Sequence, residues 1–143
     1  MNPKVADAFL NTMGAVHKGL YKLSKGKLGN KMMGAPVLWL TVTGRKSGKE
    51  YTVPLLYLAD GERKIIVASK GGDDRNPVWY LNLEANPKCR VEVAGATQTM
   101  TAATATPEEK AVLWPRVVEL YKGYASYQKK TDRDIPVIVL TPG

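Results

Sequence analysis

The chain has 143 residues, 44% hydrophobic and 24% charged, with a formal net charge of +8. This fits one globular domain whose core needs no covalent staple. Its single cysteine, Cys89, excludes an intrachain disulfide and a cysteine zinc site; its single histidine, His17, makes no histidine metal cluster, so no metal is expected, and its place in the N-terminal segment beside Lys18 argues against a Ser-His-Asp triad. The basic excess calls for an anionic partner without naming it: nucleic acid, anionic lipid and a phosphorylated cofactor all qualify.

Residues 4–23 read as a helix, because Val5, Phe9, Met13, Val16 and Leu20 recur at helical spacing. Six lysines against one aspartate lie within residues 1–31. The segment is either a terminal helix with a solvated lysine tail or an amphipathic helix on an anionic membrane surface. Residues 24–34, rich in Lys and Gly, read as a linker. The expected organisation is a basic helix and linker over 1–34 and a folded domain over 35–143. The start lacks a basic segment followed by an apolar run, and no stretch is long enough to span a bilayer. The expectation is a cytoplasmic protein, with residues 1–31 a candidate for peripheral membrane contact.

Strands follow. Val37–Thr43 is apolar and β-branched, and Gly44 ends it. Tyr51–Ala59 is a second strand, with Pro54 marking an edge or bulge. Asp60-Gly61 signals a hairpin into Lys64–Ser69. Asn76 is a good N-cap and Pro77 suits the first position of a helix over 78–85, which Asn86-Pro87 stops. Lys88–Ala94 and Thr97–Thr104 pair through Gly95-Ala96. Thr106-Pro107-Glu108-Glu109 is a capping box opening a long helix. Pro115 should kink or interrupt that helix, and Gly123 should loosen its end. Ile135–Leu140 is the last strand. Strands that neighbour one another, not separated by long helices, predict a mostly β, α+β protein: an antiparallel sheet or barrel carrying helices.

Two turns carry basic residues and glycines together: Gly44-Arg45-Lys46-Ser47-Gly48 and Ser69-Lys70-Gly71-Gly72. Glycines allow a tight turn and close backbone approach, and the amides of such turns form anion-binding concavities. Each alone reads equally as a solvated loop; two together suit the ends of an elongated anionic ligand. Tyr121, Tyr124 and Tyr127 recur every three residues, suited to core packing or to lining a pocket for a flat, partly polar substrate. With no acid–base or metal equipment in evidence, enzymatic chemistry would come from a cofactor. A nucleic-acid module lacks a recognition motif and is not expected.

The stretches Thr41–Gly48, Val67–Gly72, Asn76–Pro87, Trp114-Pro115, the three tyrosines and Thr131–Pro136 together resemble the actinobacterial deazaflavin (coenzyme F420)-dependent nitroreductase family. The resemblance covers about residue 37 to the end. It implies a split β-barrel of the flavin-reductase type with N-terminal, short central and C-terminal helices. It implies coenzyme F420, with FMN the alternative in the same barrel. Thr41, Arg45, Lys46, Ser47 and Lys70 would bind the cofactor, the last four at its phosphate and acidic tail. Pro54, Ala68, Ser69, Gly71, Val78 and Trp79 would surround its ring. Leu56, Tyr121, Tyr124 and Tyr127 would border the substrate, and Tyr124 and Ser69 are the expected catalytic residues. The implied activity is hydride transfer from deazaflavin C5 to an electron-poor planar small molecule: an enone, a coumarin-like lactone, a quinone or a nitroaromatic. A non-catalytic deazaflavin carrier is the rival. Leu56 stands where the nitroreductase pattern has a tyrosine, with Tyr57 pointing to the other face of its strand, which weakens the nitroaromatic case. The oligomeric state is left open.

Overall fold

The computed structural model describes residues 31–32 and 35–143. The helix, linker and His17 expected within 1–34 fall almost wholly outside them. Eight strands are described: β1 (Lys31–Met32), β2 (Ala35–Thr43), β3 (Glu50–Leu56), β4 (Leu58–Asp60), β5 (Arg63–Val67), β6 (Lys88–Val93), β7 (Ala96–Thr104) and β8 (Val137–Pro142). Three α-helices accompany them: α1 (Val78–Ala85), α2 (Pro107–Leu120) and α3 (Gly123–Lys129), with a single 3-10 turn at Lys70–Gly72.

All pairings are antiparallel, in the order β1-β2-β6-β7-β8-β5-β4, with β3 on the other side of β2. The strand expected over 51–59 is split at Tyr57. Its first part pairs with β2 and its second with β5. One bent segment therefore bridges the two edges of a curled sheet, the split-barrel organisation that the family resemblance implies. At the bend the Tyr57 amide donates to the Pro36 carbonyl at 3.1 Å. Pro54 sits in β3, which pairs only with β2 among the described strands, so the missing amide removes no second ladder bond.

Alternation sorts the apolar residues onto two faces. Leu38, Leu40, Ile66, Val91, Met100, Ile138 and Leu140 fill the barrel, capped by Tyr80 and Leu83 of α1. Val37, Leu56, Ile65, Val67, Val137 and Val139 face outward onto Leu113 and Val117 of α2 and Tyr124 of α3. Strands buried on both faces read as continuous apolar runs, which is why β2 and β8 are legible in the sequence. Leu56 and Tyr57 belong to opposite faces, as period-two alternation requires. Cys89 is buried, and burial pushes its thiol up to about 11, which keeps it an unreactive thiol at neutral pH.

Local expectations are corrected in four places. Asn76 does not cap α1: Pro77 is the N-cap, and the Asn76 Oδ1 accepts instead from Arg133 Nη1 at 2.9 Å. The β6–β7 turn is Ala94-Gly95, both with positive φ, one residue earlier than expected. The last strand begins at Val137, not Ile135, because Ile135 is drawn into the outer core and its amide donates to Gln128 Oε1. The helix opened by Thr106 runs through Pro115 and ends at Tyr121, which turns extended. There the Tyr121 ring folds back over Gly123: a Cβ at 123 would lie 2.5 Å from ring atoms, so the close approach needs glycine. The capping box itself is present, with Thr106 Oγ1 accepting from the Glu109 amide and Glu109 Oε1 from the Thr106 amide. Among the described residues no helix is long and apolar enough to cross a membrane.

Candidate functional site

The turn after β2 is closed by its own backbone: the Gly44 amide donates to the Lys49 carbonyl at 2.7 Å and the Gly48 amide to the Gly44 carbonyl at 3.0 Å. Gly44 is buried under Tyr51 and Ser47, where a Cβ would meet atoms at 2.7 and 2.8 Å. Arg45, Lys46 and Ser47 are left exposed. Ser47 Oγ and Tyr51 Oη are 3.1 Å apart. Arg45 is fixed twice to one atom, its backbone amide (3.1 Å) and Nη1 (2.9 Å) both donating to Asn82 Oδ1. Asn82 is buried on α1 and neutral, so it orients Arg45 without cancelling its charge. Sequence reasoning missed Asn82, because nothing local marks a buried asparagine within a short helix as an anchor.

The second basic turn lies beyond β5. Lys70, Gly71 and Gly72 have φ of 45°, 63° and 84°, three successive residues in the left-handed region. For Lys70 that conformation costs about 1–2 kcal/mol, so the surroundings must impose it. Gly72 rests against α3: a Cβ there would lie 2.8 Å from the Tyr127 carbonyl oxygen. Arg133, which sequence reasoning did not single out although it lies in a recognisable stretch, reaches Ala68, Ser69, Asp73 and Asn76 with its guanidinium. Asp73 is held well below the usual carboxylate range by its hydrogen bonds from Arg75.

Helix α1 joins the two turns. Its eight residues span about 12 Å, with Asn82 gripping the first turn in its second half and Val78 and Trp79 opening it shortly after the second. Val78 is 60% exposed and Trp79 half-buried, an uncovered apolar ledge beside two cationic turns. On β2 and β3, Thr41 Oγ1 and Thr52 Oγ1 are 2.8 Å apart, and Pro54 is the register partner of Trp39. Thr41, Pro54 and Leu56 share the outward face by alternation.

The three tyrosines form one cluster on that side, with ring centroids 5.1, 6.0 and 6.5 Å apart. Tyr124 is 6% exposed and packs with Leu56 in the outer core; burial raises its phenol well above the ordinary range. Tyr121 and Tyr127 are half-buried, with hydroxyls 2.9 Å apart, and burial pushes Tyr127 up to about 12. The structure thus brings Leu56 and the tyrosines together and places them against the Gly71-Gly72 turn through Tyr127. A separate cavity of about 210 Å³, lined by residues including Tyr80, Glu84, Pro87 and Thr104, lies between α1 and β7; none of the expected site residues borders it. Among the described residues no group of histidines, cysteines or carboxylates could hold a metal ion.

The residue set fits a flat, phosphate-bearing cofactor: cations and turn amides for its anionic part, an apolar ledge for a ring. Residues 13–142 match the family model for F420H2-dependent quinone reductases. An F420H2-dependent quinone reductase of Mycobacterium tuberculosis is 42% identical over 130 residues, which cover 88% of this chain and 87% of that one. A solved F420H2-dependent reductase is 42% identical, with a TM-score of 0.69, covering 73% of this chain and 93% of the other. Another solved structure, described as a domain-swapped dimer, is 37% identical with a TM-score of 0.72, covering 87% and 96%.

Proposed function

The chain belongs to the F420H2-dependent quinone reductase family, an oxidoreductase family whose cofactor is coenzyme F420 rather than FMN; from that premise we propose that it reduces quinones and related electron-poor, carbonyl-activated planar molecules. The observation that carries this reading is the tyrosine cluster beside the Gly71-Gly72 turn, with apolar Leu56 in its wall.

When bound, the coenzyme supplies a hydride. The chain's own residues bind, orient and stabilise. Arg45, Lys46, Ser47 and Lys70 would receive the anionic part, with Asn82 fixing the fork of Arg45. Thr41, Pro54, Ala68, Ser69, Gly71, Val78 and Trp79 would border the ring, and Ser69, at the head of its turn, is the coenzyme-side member of the catalytic pair. A tyrosine hydroxyl donating to the substrate oxygen would stabilise the negative charge that grows there; loss of one such donor raises a barrier by about 2.7–4 kcal/mol. Burial raises the Tyr124 and Tyr127 phenols still further above their ordinary value of 10.0, so these two hydroxyls are protonated and able to donate throughout the neutral range. Two-electron reduction needs a proton as well as the hydride, and bulk water can deliver it to a phenolate-like product oxygen.

The test is a titration of the full chain with oxidised and reduced F420, then turnover on a quinone, an enone and a nitroaromatic. Quinone and enone turnover well above nitroaromatic turnover is expected. Tyr124→Phe should lower kcat for the quinone; an unchanged rate would remove Tyr124 from the mechanism, and Tyr121→Phe and Tyr127→Phe would then identify the donor. Coenzyme binding without oxidation of F420H2 by any of the three acceptors would refute the substrate reading.

A further inference from the structure

The loop from Ala68 to Asn76 holds three successive left-handed residues, yet three of its carbonyls, those of Ala68, Ser69 and Asp73, converge on a single side chain. Arg133 Nε donates to the Asp73 carbonyl at 2.7 Å and Nη2 to the Ser69 carbonyl at 2.8 Å. Its Nη1 donates to the Ala68 carbonyl at 3.2 Å and to Asn76 Oδ1 at 2.9 Å. Arg133 is itself placed: its amide donates to Thr131 Oγ1 at 3.3 Å, and that hydroxyl donates to Asp74 Oδ1 at 2.7 Å. The Asp73 carboxylate is taken by Arg75 and does not compete for the guanidinium.

A trans peptide group points its C=O and the following N–H in opposite directions. Drawing the Ala68, Ser69 and Asp73 carbonyls toward Arg133 therefore turns the Ser69, Lys70 and Asp74 amides away from it. We propose that Arg133 is a positioning residue for coenzyme binding: its planar fork fixes the loop so that the Ser69 and Lys70 amides and the Lys70 side chain present one donor surface to the anionic coenzyme. The inference rests on the assignment of this loop to coenzyme F420 made above. Charge alone does not do this. Four acceptors lie around the edges of one plane, and a lysine ammonium is a single point that cannot span them.

The experiment compares the full chain with Arg133→Lys and Arg133→Gln, by fluorescence titration with oxidised F420, thermal melting and amide hydrogen exchange. Loss of hydrogen bonds from a charged donor predicts a Kd raised roughly tenfold to hundredfold, with Lys no better than Gln. At saturating coenzyme, the fall in kcat with a quinone should be smaller than the rise in Kd, a split that separates binding from chemistry. In the wild type, F420 should slow exchange at Ser69 and Lys70, and both variants should lose that protection. A native-like melt with unchanged Kd in Arg133→Lys would overturn the proposal, as would restoration of binding by Lys. If the variants do not fold, the wild-type exchange decides: no slowing at Ser69 and Lys70 on F420 addition overturns it. Failure of the wild type to bind F420 would instead refute the loop assignment, and this inference with it.

Discussion

Gly72→Ala isolates the contact that sets the Lys70–Gly72 turn against the tyrosine-bearing helix α3. Gly72 has φ of 84°, and a Cβ there would sit 2.8 Å from the Tyr127 oxygen, 3.0 Å from its Cα and 3.1 Å from Lys130 Cβ. Two of those atoms are backbone and cannot rotate away. The left-handed conformation costs an L-residue about 1–2 kcal/mol, and forcing an extra carbon into a packed site costs about 1–3 kcal/mol. The loss should then be roughly 2–5 kcal/mol, a fall in Tm on the order of 6–15 °C for a domain of this size. Gly61→Ala is the control: φ is 60°, but no heavy atom lies within 4 Å. It should lose only the conformational part, about 1–2 kcal/mol. Urea unfolding at one temperature gives both values, and their difference is the packing term. Because Gly72→Ala must push the loop from α3, it should also weaken F420 binding, whereas Gly61→Ala should not. Equal losses in the two variants would refute the packing argument, and a Gly72→Ala protein with wild-type stability would refute the placement of the loop on α3.

Thr106→Ala removes the cap of α2 and should cost about 1 kcal/mol without altering F420 affinity, checked by urea unfolding and fluorescence titration. Stability should depend on alkaline pH through Tyr127. Its folded pKa, near 12, lies above the ordinary value of 10.0, so the fold favours the protonated phenol. That contribution is complete below pH about 10 and is lost as pH rises toward 12. The urea midpoint should therefore fall above pH 10, and less steeply in Tyr127→Phe; identical pH profiles would refute the assignment.

Much of the fold is legible because its causes are local. β2 and β8 are apolar runs buried on both faces. Gly61 takes positive φ in a two-residue hairpin, and Thr106 and Glu109 close their capping box within four residues. The basic turns were visible for the same reason: glycine and charge occur together in a few consecutive positions. Their resemblance to a known family gave the cofactor its name, but not the contacts that hold the turns in place.

Those contacts join distant parts of the chain. Arg45 finds Asn82 thirty-seven residues away, and Arg133 finds Ala68 at a separation of sixty-five. The same partner took Asn76 from the capping role that its local sequence favours. Tyr57 bends a strand because its two halves have different neighbours, β2 and β5, and Tyr121 ends a helix by folding its ring over Gly123. By itself the sequence determined which segments form strands and helices and which turns carry charge, since sterics and short-range hydrogen bonds act within a few residues. Only the tertiary structure decided which carbonyls meet which guanidinium and which of the three tyrosines is buried, because those energies exist only once remote segments are packed together.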